Sequence, residues 1–256
     1  MNLWNLSNIR ILKSLTEIEF STLDTPCAYL NGRSSRSSYK YIYEASYAYN
    51  SALVEHGYRR FGKYFSKPIC KDCNECKSLR IDAQKFKLTK SLRRVIRKNK
   101  DAGIEVVVTR PHLSQAHINL YEKYHKFMQN KRGWEYHQMS YERYFSVYVD
   151  GAGEFGFEVD YYDNNKLICV DLIDITNDGI SSIYCFWDID YAYLSLGKYS
   201  LLNQILLAKA HKLPWIYLGF YVKNCESLEY KSDYKPYQIL QEYTQLDELA
   251  IWLDEI

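Results

Sequence analysis

The sequence predicts a mixed α+β fold, and the C-terminal half gives the clearest evidence for it. Apolar residues alternate with other residues over positions 155–161, which is typical of a half-buried strand. An Asn-Asp-Gly turn at 177–179 separates two further apolar runs, at 167–175 and 183–189, and indicates a β-hairpin. After Gly197, apolar residues recur at helical spacing until Pro214, and a last apolar run spans 215–222. We therefore expect a strand meander followed by a helix and one more strand.

The first 109 residues contain shorter elements and more polar loops. Residues 31–38 form a hydroxyl-rich loop with two arginines. Residues 80–86 predict a strand, 91–100 a strongly basic helix, and the β-branched run at 104–109 another strand. Ser114 is typical of a helix N-cap, for a helix that reaches about residue 130. We expect an N-terminal domain over 1–109 and a C-terminal domain over 110–256.

An antiparallel meander, a helix and one more strand is the core order of acetyltransferase-like (GNAT) domains. In that fold, the loop and helix N-terminus after the meander hold a phosphate-bearing donor through free backbone N–H groups. The matching segment here is 195–200. We expect a GNAT-like acyltransferase domain, with the smaller Cys-rich N-terminal domain as a degenerate second GNAT-like half.

The bulk composition is that of a globular protein with reduced thiols. No apolar run approaches the roughly 18 residues that a membrane span needs. Residues 1–20 are charged throughout and lack the apolar stretch of a signal peptide. These features predict a cytoplasmic protein, in which the seven cysteines bind metal, act in catalysis or pack in the core rather than form disulfides.

The charge is unevenly distributed along the chain. Although the net charge is +2, residues 58–100 contain 15 Lys and Arg against three acids, a local charge of +12. Such asymmetry indicates a polyanionic partner, and the interleaved tyrosines suit stacking on unpaired bases. A solvated basic surface without a partner is the alternative.

A cysteine triplet at C-x₂-C-x₂-C spacing lies inside this basic segment. Cys70, Cys73 and Cys76 are close enough in sequence to bind one ion, and Cys27 could complete a four-thiolate site. The spacing fits either zinc or an iron–sulfur cluster, because both use thiolate ligands. Unmetallated thiols on a turn are the alternative. The six histidines form no recognisable ligand pair.

Several separate motifs resemble the aminoacyl-tRNA–protein transferases of the N-end rule. In the first half these are Pro26-Cys27-Ala28-Tyr29-Leu30 with Arg33 and Arg36, Gly57-Tyr58-Arg59-Arg60, the cysteine triplet with Arg80, and Phe86 with Ser91-Leu92-Arg93-Arg94. In the second half they are the segments 184–188, 195–200 and 213–220, with Cys225 and Tyr230-Lys231. The resemblance spans roughly residues 24–240 and is closest to compact bacterial members. It departs from the family pattern at Ala28, Trp187 and Ile189.

The resemblance implies transfer of an amino acid, leucine in the first place, from its tRNA to the α-amine of proteins that begin with Asp or Glu. The product is a degradation signal. No cofactor is needed for the chemistry, because an aminoacyl ester is already activated and the enzyme must mainly align the amine and stabilise the oxyanion. The partners implied are Leu-tRNA, or Arg-tRNA as the alternative, and the acidic acceptor proteins.

On this basis we hypothesise roles for individual residues. Asp188 and Tyr184 are the candidate catalytic residues. The candidate acceptor-binding residues are arginines, since a guanidinium pairs well with a carboxylate: Arg33, Arg36, Arg59 and Arg60. The candidate donor-tRNA residues are Gly197, Lys198, Tyr199, Ser200, Arg93, Arg94 and Arg97. The candidate metal ligands are Cys27, Cys70, Cys73 and Cys76.

Two other classes of protein explain part of the pattern. A non-catalytic, metal-clipped RNA-binding protein explains the basic segment but gives the loop at 195–200 no purpose. An acyl-CoA-dependent acetyltransferase would be expected to have a longer glycine-rich pyrophosphate loop than this one, which has a single glycine.

Overall fold

The structure is a computed structural model that describes residues 17–255. The first 16 residues of the expected N-terminal domain, which make up most of the segment interpreted as lacking a signal peptide, and residue 256 lie outside this range. Among the described helices, none is long and apolar enough to cross a membrane.

The described residues form fourteen strands and five α-helices. The strands are β1 (Glu17–Ser21), β2 (Thr25–Pro26), β3 (Ser34–Ser35), β4 (Ser37–Ile42), β5 (Arg59–Phe61), β6 (Tyr64–Pro68), β7 (Lys77–Asp82), β8 (Glu105–Thr109), β9 (Gly156–Asp163), β10 (Lys166–Ile175), β11 (Gly179–Trp187), β12 (Trp215–Tyr221), β13 (Tyr237–Leu240) and β14 (Trp252–Asp254). The α-helices are α1 (Tyr47–Glu55), α2 (Lys90–Asp101), α3 (Gln115–Arg132), α4 (Tyr141–Tyr144), which continues as a π-helical turn at Phe145–Val149, and α5 (Leu196–Ala210). Two 3₁₀ turns span Ile189–Leu194 and Glu229–Asp233.

An eight-stranded sheet dominates this mixed α/β fold. Its strand order is β14-β13-β7-β12-β11-β10-β9-β8. Its pairs are antiparallel except β11 with β12, which are parallel. A four-stranded antiparallel sheet, β1-β4-β6-β5, precedes it in sequence. Because β7 and β8 precede residue 110 yet belong to the large sheet, the division expected at 109/110 does not coincide with a boundary between sheets.

Helices cover both faces of the large sheet. On one face, Leu202 and Ile205 of α5 pack with Leu79 of β7 in the larger apolar core. On the other face, Tyr121 of α3 and Phe186 of β11 belong to a second, aromatic-rich core. Helices therefore cover apolar residues on both faces of the large sheet.

Most expected elements of residues 80–222 are present with small shifts. Ser114 caps α3 by accepting a hydrogen bond from the His117 N–H, which satisfies an otherwise free donor of the first turn. The strand expected at 80–86 is wrong at both ends, because β7 runs from Lys77 to Asp82. The Asp82 carboxylate accepts a hydrogen bond from the Lys85 N–H at 2.9 Å, and this side-chain turn ends the strand.

Candidate active site

The parallel strands β11 and β12 separate soon after they meet. They pair only through Gly179–Ser181 on β11 and Trp215–Tyr217 on β12, although β11 continues to Trp187 and β12 to Tyr221. Beyond Ser181, the backbone of β11 has no partner on β12 and can bond other groups on that side. Arg59 lies at this position. Its Nη2 donates to the Ile183 carbonyl oxygen at 3.2 Å.

Arg59 bridges the two separating strands. Its guanidinium carbon lies 5.5 Å from the ring centre of Phe61 and 5.4 Å from that of Phe220, so aromatic faces hold the cation on two sides. A Cβ at Gly219 would come within 2.9 Å of Arg59 Cδ and Nε. The glycine therefore makes room for this half-buried arginine.

A buried lysine ties the next segment to the same strand. Lys231 Nζ donates to the carbonyl oxygens of Leu218, at 2.8 Å, and Phe220. Burial and the neighbouring Arg59 cation hold the pKa of Lys231 well below its usual range. Lys231 thus fixes the 3₁₀ turn at Glu229–Asp233, in which Tyr230 lies within electrostatic reach of Arg59, at the opening where β11 and β12 separate.

Arg60 lies in a different environment from its neighbour. Its Nε and Nη2 donate to the two carboxylate oxygens of Asp174 at 2.7 and 2.6 Å, and its Nη1 donates to the Gly62 carbonyl. The side chains of Arg60 and Asp174 are only 3% and 0% exposed. The expectation that Arg60 binds the acceptor is therefore wrong, because alternating strand residues face opposite sides and Arg60 points inward to a buried ion pair.

Tyr184 forms a hydrogen-bonded pair with a histidine that sequence reasoning missed. His125 Nδ1 is 2.8 Å from the Tyr121 carbonyl oxygen, so it must donate there, and Nε2 is left to accept from the Tyr184 hydroxyl at 2.7 Å. Burial lowers the pKa of His125, although the bond to the Tyr121 carbonyl opposes this, and the ring is neutral near neutral pH. The Tyr148 ring stacks on Tyr184 at 5.7 Å. A weak base is thus coupled to a phenol.

Asp188 is engaged in ion pairs rather than open to a substrate. Its carboxylate contacts the ammonium groups of Lys123 and of Lys166, the latter at 2.8 Å. It also accepts from the Asp190 N–H at 3.1 Å, which caps the following 3₁₀ turn. Burial would raise the pKa of Asp188, but the two lysines hold it below its usual value. The side chain, 3% exposed, therefore fixes the turn that leads into α5.

The predicted donor loop is the start of α5. Gly197 and Lys198 are exposed, while Tyr199 and Ser200 are buried. Ser200 Oγ donates to Asp171 at 2.9 Å, and Gln204 Nε2 donates to the same oxygen at 2.7 Å. Burial raises the pKa of Asp171 to about 7, against the lowering effect of these two hydrogen bonds.

The remaining predicted arginines are on the surface. Arg93, Arg94 and Arg97 are exposed on α2. This helix is hydrogen-bonded to the turn that precedes α5, because Asn99 Nδ2 donates to the Leu194 carbonyl at 2.8 Å. The basic helix and the start of α5 therefore lie side by side.

Arg33 and Arg36 are also exposed, next to the cysteines rather than in the opening. The Cys27 N–H donates to the Arg33 carbonyl at 2.8 Å, and the Arg36 N–H lies 3.4 Å from Cys70 Sγ. The guanidinium of Arg36 donates to Ser21 Oγ at 3.1 Å.

The structure gathers the four predicted metal-binding thiols in one region. Burial raises the pKa of Cys76 to about 12, and negative charge on Cys27, Cys70 and Cys73 raises it further. Cys225 adds to the same effect, so a fifth thiol lies nearby. Three predicted ligand thiols close enough to Cys76 to raise its pKa suit a thiophilic cation, which would relieve the repulsion between thiolates. Among residues 17–255, however, these sulfurs do not form a group within 4.8 Å of one another.

A different group of side chains within the described chain does meet this distance criterion. The ligand atoms of His112, His117, Glu158 and Asp160 all lie within 4.8 Å of one another. Sequence reasoning found no ligand pair among the histidines, but His112 and His117 flank the start of α3 and their rings are 4.5 Å apart. The sequence feature that could have indicated this group is the pair of acidic residues Glu158 and Asp160, which are two positions apart on β9.

Comparison with known proteins assigns the family. Models described as Arginine-tRNA-protein transferase, N terminus, and Arginine-tRNA-protein transferase, C terminus, match residues 25–94 and 116–241. The aspartate/glutamate leucyltransferase of Campylobacter jejuni subsp. jejuni serotype O:6 is 51% identical over 234 residues, 91% of this chain and 97% of that protein. That of Helicobacter hepaticus is 32% identical over 235 residues, 92% and 97% of the two chains.

Among solved structures, that of L-PGS from Bacillus licheniformis covers 57% of this chain and 45% of its own, at 11% identity and a TM-score of 0.42. A likeness of this size supports no conclusion about function. Both family models describe tRNA-protein transferases, the sequence relatives are aspartate/glutamate leucyltransferases, and together they span most of the chain. The chain belongs to the aspartate/glutamate leucyltransferase family of aminoacyl-tRNA–protein transferases.

Proposed function

We propose that this protein transfers leucine from Leu-tRNA to the N-terminal α-amine of proteins that begin with Asp or Glu, and that it does so in the cytoplasm. The observation that supports this most strongly is the 51% identity to an aspartate/glutamate leucyltransferase over 91% of the chain. The arrangement around the separation of β11 and β12 supplies groups suited to each part of that reaction.

The opening favours leucine over arginine as the donated residue. On the α3 side of β11, the partly buried Tyr184 contacts the rings of Phe61, Tyr148 and Phe186. The guanidinium of Arg59, which lies at the opening, would repel a second guanidinium. An apolar donor side chain fits this environment better, because burying it needs no compensating charge.

Arg59 is our candidate for recognising the acidic acceptor. It is half-buried, so a carboxylate that reaches it is attracted more strongly than at the surface. Its Nη2 is held by the Ile183 carbonyl, and two aromatic rings fix the guanidinium plane. Arg33 and Arg36 remain alternative acceptor residues, at the cysteine side of the protein.

The Tyr184–His125 pair is our candidate for moving the proton. The attacking amine forms a C–N bond to the ester carbonyl carbon and must lose a proton, while the ribose oxygen that leaves must gain one. In our proposal the Tyr184 oxygen accepts the amine proton as its own proton passes to His125 Nε2, and the reverse movement protonates the ribose oxygen. Asp188 acts indirectly, by holding the turn before α5.

The start of α5 is our candidate for the 3′ end of the tRNA. Gly197 and Lys198 are exposed there, next to helix N–H groups that favour anions. Tyr199 and Ser200 are buried, so they would support this helix start from the core side rather than contact the tRNA directly. Arg93, Arg94 and Arg97 on the adjacent α2 suit contacts to the tRNA backbone.

The finer fold and the metal are also proposals. The antiparallel run β9-β10-β11, helix α5 and the diverging strand β12 support a GNAT-like domain, with the N-terminal part as its degenerate counterpart. Cys27, Cys70, Cys73 and Cys76 would hold zinc or an iron–sulfur cluster. That group would stabilise the segment near Arg33 and Arg36, and the transfer chemistry does not require it.

A transfer assay tests the function. The purified chain is mixed with labelled Leu-tRNA or Arg-tRNA and with peptides that differ only in an N-terminal Asp, Glu or Ala. We expect label from Leu-tRNA on the Asp and Glu peptides. Label from Arg-tRNA would instead assign an arginyltransferase, and label on no peptide together with tRNA binding would assign a non-catalytic RNA-binding protein.

The same assay assigns the acceptor arginine. Arg59→Gln should remove the preference for Asp over Ala peptides, while Arg33→Gln and Arg36→Gln should keep it. The opposite pattern would place acceptor recognition at the cysteine side.

A further inference from the structure

We propose that His112, His117, Glu158 and Asp160 bind one divalent transition-metal ion, with zinc as the best-fitting occupant. Their ligand atoms all lie within 4.8 Å of one another, which is the spacing of atoms around a single ion. The site is separate from the cysteines and from the opening between β11 and β12.

Two local structures bring these residues together. Glu158 and Asp160 are two positions apart on β9, so their side chains point to the same face of the sheet. His117 lies in the first turn of α3 and His112 just before it. Glu158 Oε1 is 2.9 Å from His112 Nδ1 and 3.1 Å from His117 Nε2, so both imidazoles converge on one carboxylate.

Two carboxylate oxygens of these residues have no hydrogen-bond partner. They are Glu158 Oε2 and Asp160 Oδ1, on residues only 0% and 1% exposed. His117 Nε2 is 3.7 Å from Asp160 Oδ1, beyond hydrogen-bond range. Buried carboxylate oxygens without partners are costly, and a bound cation would satisfy both.

The ligand types select the class of ion. Two imidazoles with two carboxylates suit zinc and similar first-row metals, whereas magnesium and calcium prefer oxygen ligands alone. The outer contacts also fit a metal site. Ser114 Oγ is 2.6 Å from His117 Nδ1, and the Tyr162 hydroxyl donates to Asp160 Oδ2 at 3.2 Å. Such contacts orient imidazole and carboxylate ligands toward a metal.

The location suggests what the ion does. It would join the start of α3 to β9. His117 and His125 are eight residues apart on α3, roughly 12 Å along the helix axis. The ion therefore lies too far from Tyr184–His125 to touch the reacting atoms, and it would act by fixing the helix that holds His125. In the alternative, the same four residues form only an ion-pair network with no metal.

Metal uptake by the full chain tests the proposal. Stripped protein is dialysed against zinc, and bound metal is measured for three chains that carry Cys70→Ser and Cys73→Ser to remove the thiolate site. One has no further change, and the others add His112→Asn or His211→Asn. His112 is 47% exposed, so its replacement should leave the fold intact. His211, exposed at the end of α5, is the matched control.

We expect one equivalent of zinc in the cysteine-substituted chain and in the His211→Asn variant, with binding weakened about ten-fold or more by His112→Asn. No uptake, or uptake that ignores His112, would overturn the proposal. If the cysteine-substituted chain does not fold, the cobalt spectrum of the unsubstituted chain decides. Visible bands that are lost in His112→Asn support the site, with or without sulfur charge transfer from the cysteines, and cobalt bound only through sulfur refutes it.

Discussion

The guanidino group of Arg59 and the backbone of Gly219 occupy adjacent space, so that a Cβ at position 219 would lie 2.9 Å from Arg59 Cδ. Gly219 also has a φ of +68°, which disfavours other residues. The glycine in β12 and the arginine in β5 thus form one structural unit, although they are 160 positions apart in the sequence.

Gly219→Ala should displace Arg59 and weaken recognition of acidic acceptors. We expect a higher KM for Asp and Glu peptides and little change for Ala peptides, measured in the transfer assay. Gly103→Ala is the matched control, because Gly103 has a φ of +70° but no atom within 4 Å of its Cβ position. Equal effects of the two substitutions would show that backbone strain, not the arginine, is responsible.

Removing either member of the Tyr184–His125 pair should slow transfer without loss of tRNA binding. Tyr184→Phe keeps the ring stacked on Tyr148 but removes the hydroxyl, and His125→Gln removes the base. Each should lower the single-turnover rate by about 10²–10⁴-fold, the usual range for a positioned acid or base. His211→Gln, on the surface, serves as the control.

The pH profile gives a second readout for this pair. Because His125 must be neutral to accept a proton, and burial lowers its pKa, the rate should fall on the acid side only below the usual histidine range. That acid limb should be absent in His125→Gln. An unchanged limb would show that another group is titrating.

Arg60 and Asp174 should matter for stability rather than for acceptor choice. Removing one partner of this buried pair leaves an uncompensated charge, so Arg60→Met or Asp174→Asn should lower the free energy of unfolding by about 3–5 kcal/mol. Urea unfolding measures this. Arg60→Met together with Asp174→Leu should recover part of the loss. A selective change in Asp-peptide preference at full stability would contradict the structural role.

How much the sequence could predict depends on the range of the interactions. The helix caps, the hairpin at 177–179 and most strands of the C-terminal half follow from local patterns. The position of β7 between β12 and β13 does not, because it depends on partners more than 130 residues away in the chain. Adjacent Arg59 and Arg60 could not be told apart either, since their difference is which face of β5 meets Asp174.

The histidines are a second case in which contacts between distant parts of the chain could not be predicted from the sequence. His125 and Tyr184 are 59 positions apart, and nothing in their neighbouring residues marks them as a pair. His112 and His117 are five positions apart, and this spacing becomes informative only when β9 is placed beneath the start of α3. The cysteine triplet, by contrast, is local, and the sequence was sufficient to find it.

Asp171 should make the protein less stable as the pH rises. Burial raises the pKa of this carboxyl group to about 7 in the folded state, above its ordinary value of 3.8. The folded state therefore binds the proton more tightly. The stability that this provides is fully present below the ordinary pKa and is lost as pH rises to about 7, at up to about 1.4 kcal/mol per pH unit.

Asp171→Asn removes this dependence while keeping an oxygen that can accept from Ser200 and Gln204. Urea unfolding across the range from about pH 4 to about pH 8 should therefore show the variant gaining stability relative to the wild type as the pH rises. Asp247→Asn, at an exposed position, should run parallel to the wild type. Parallel curves for Asp171→Asn as well would mean that this carboxyl group is already ionised in the folded protein at low pH, held so by its two hydrogen bonds.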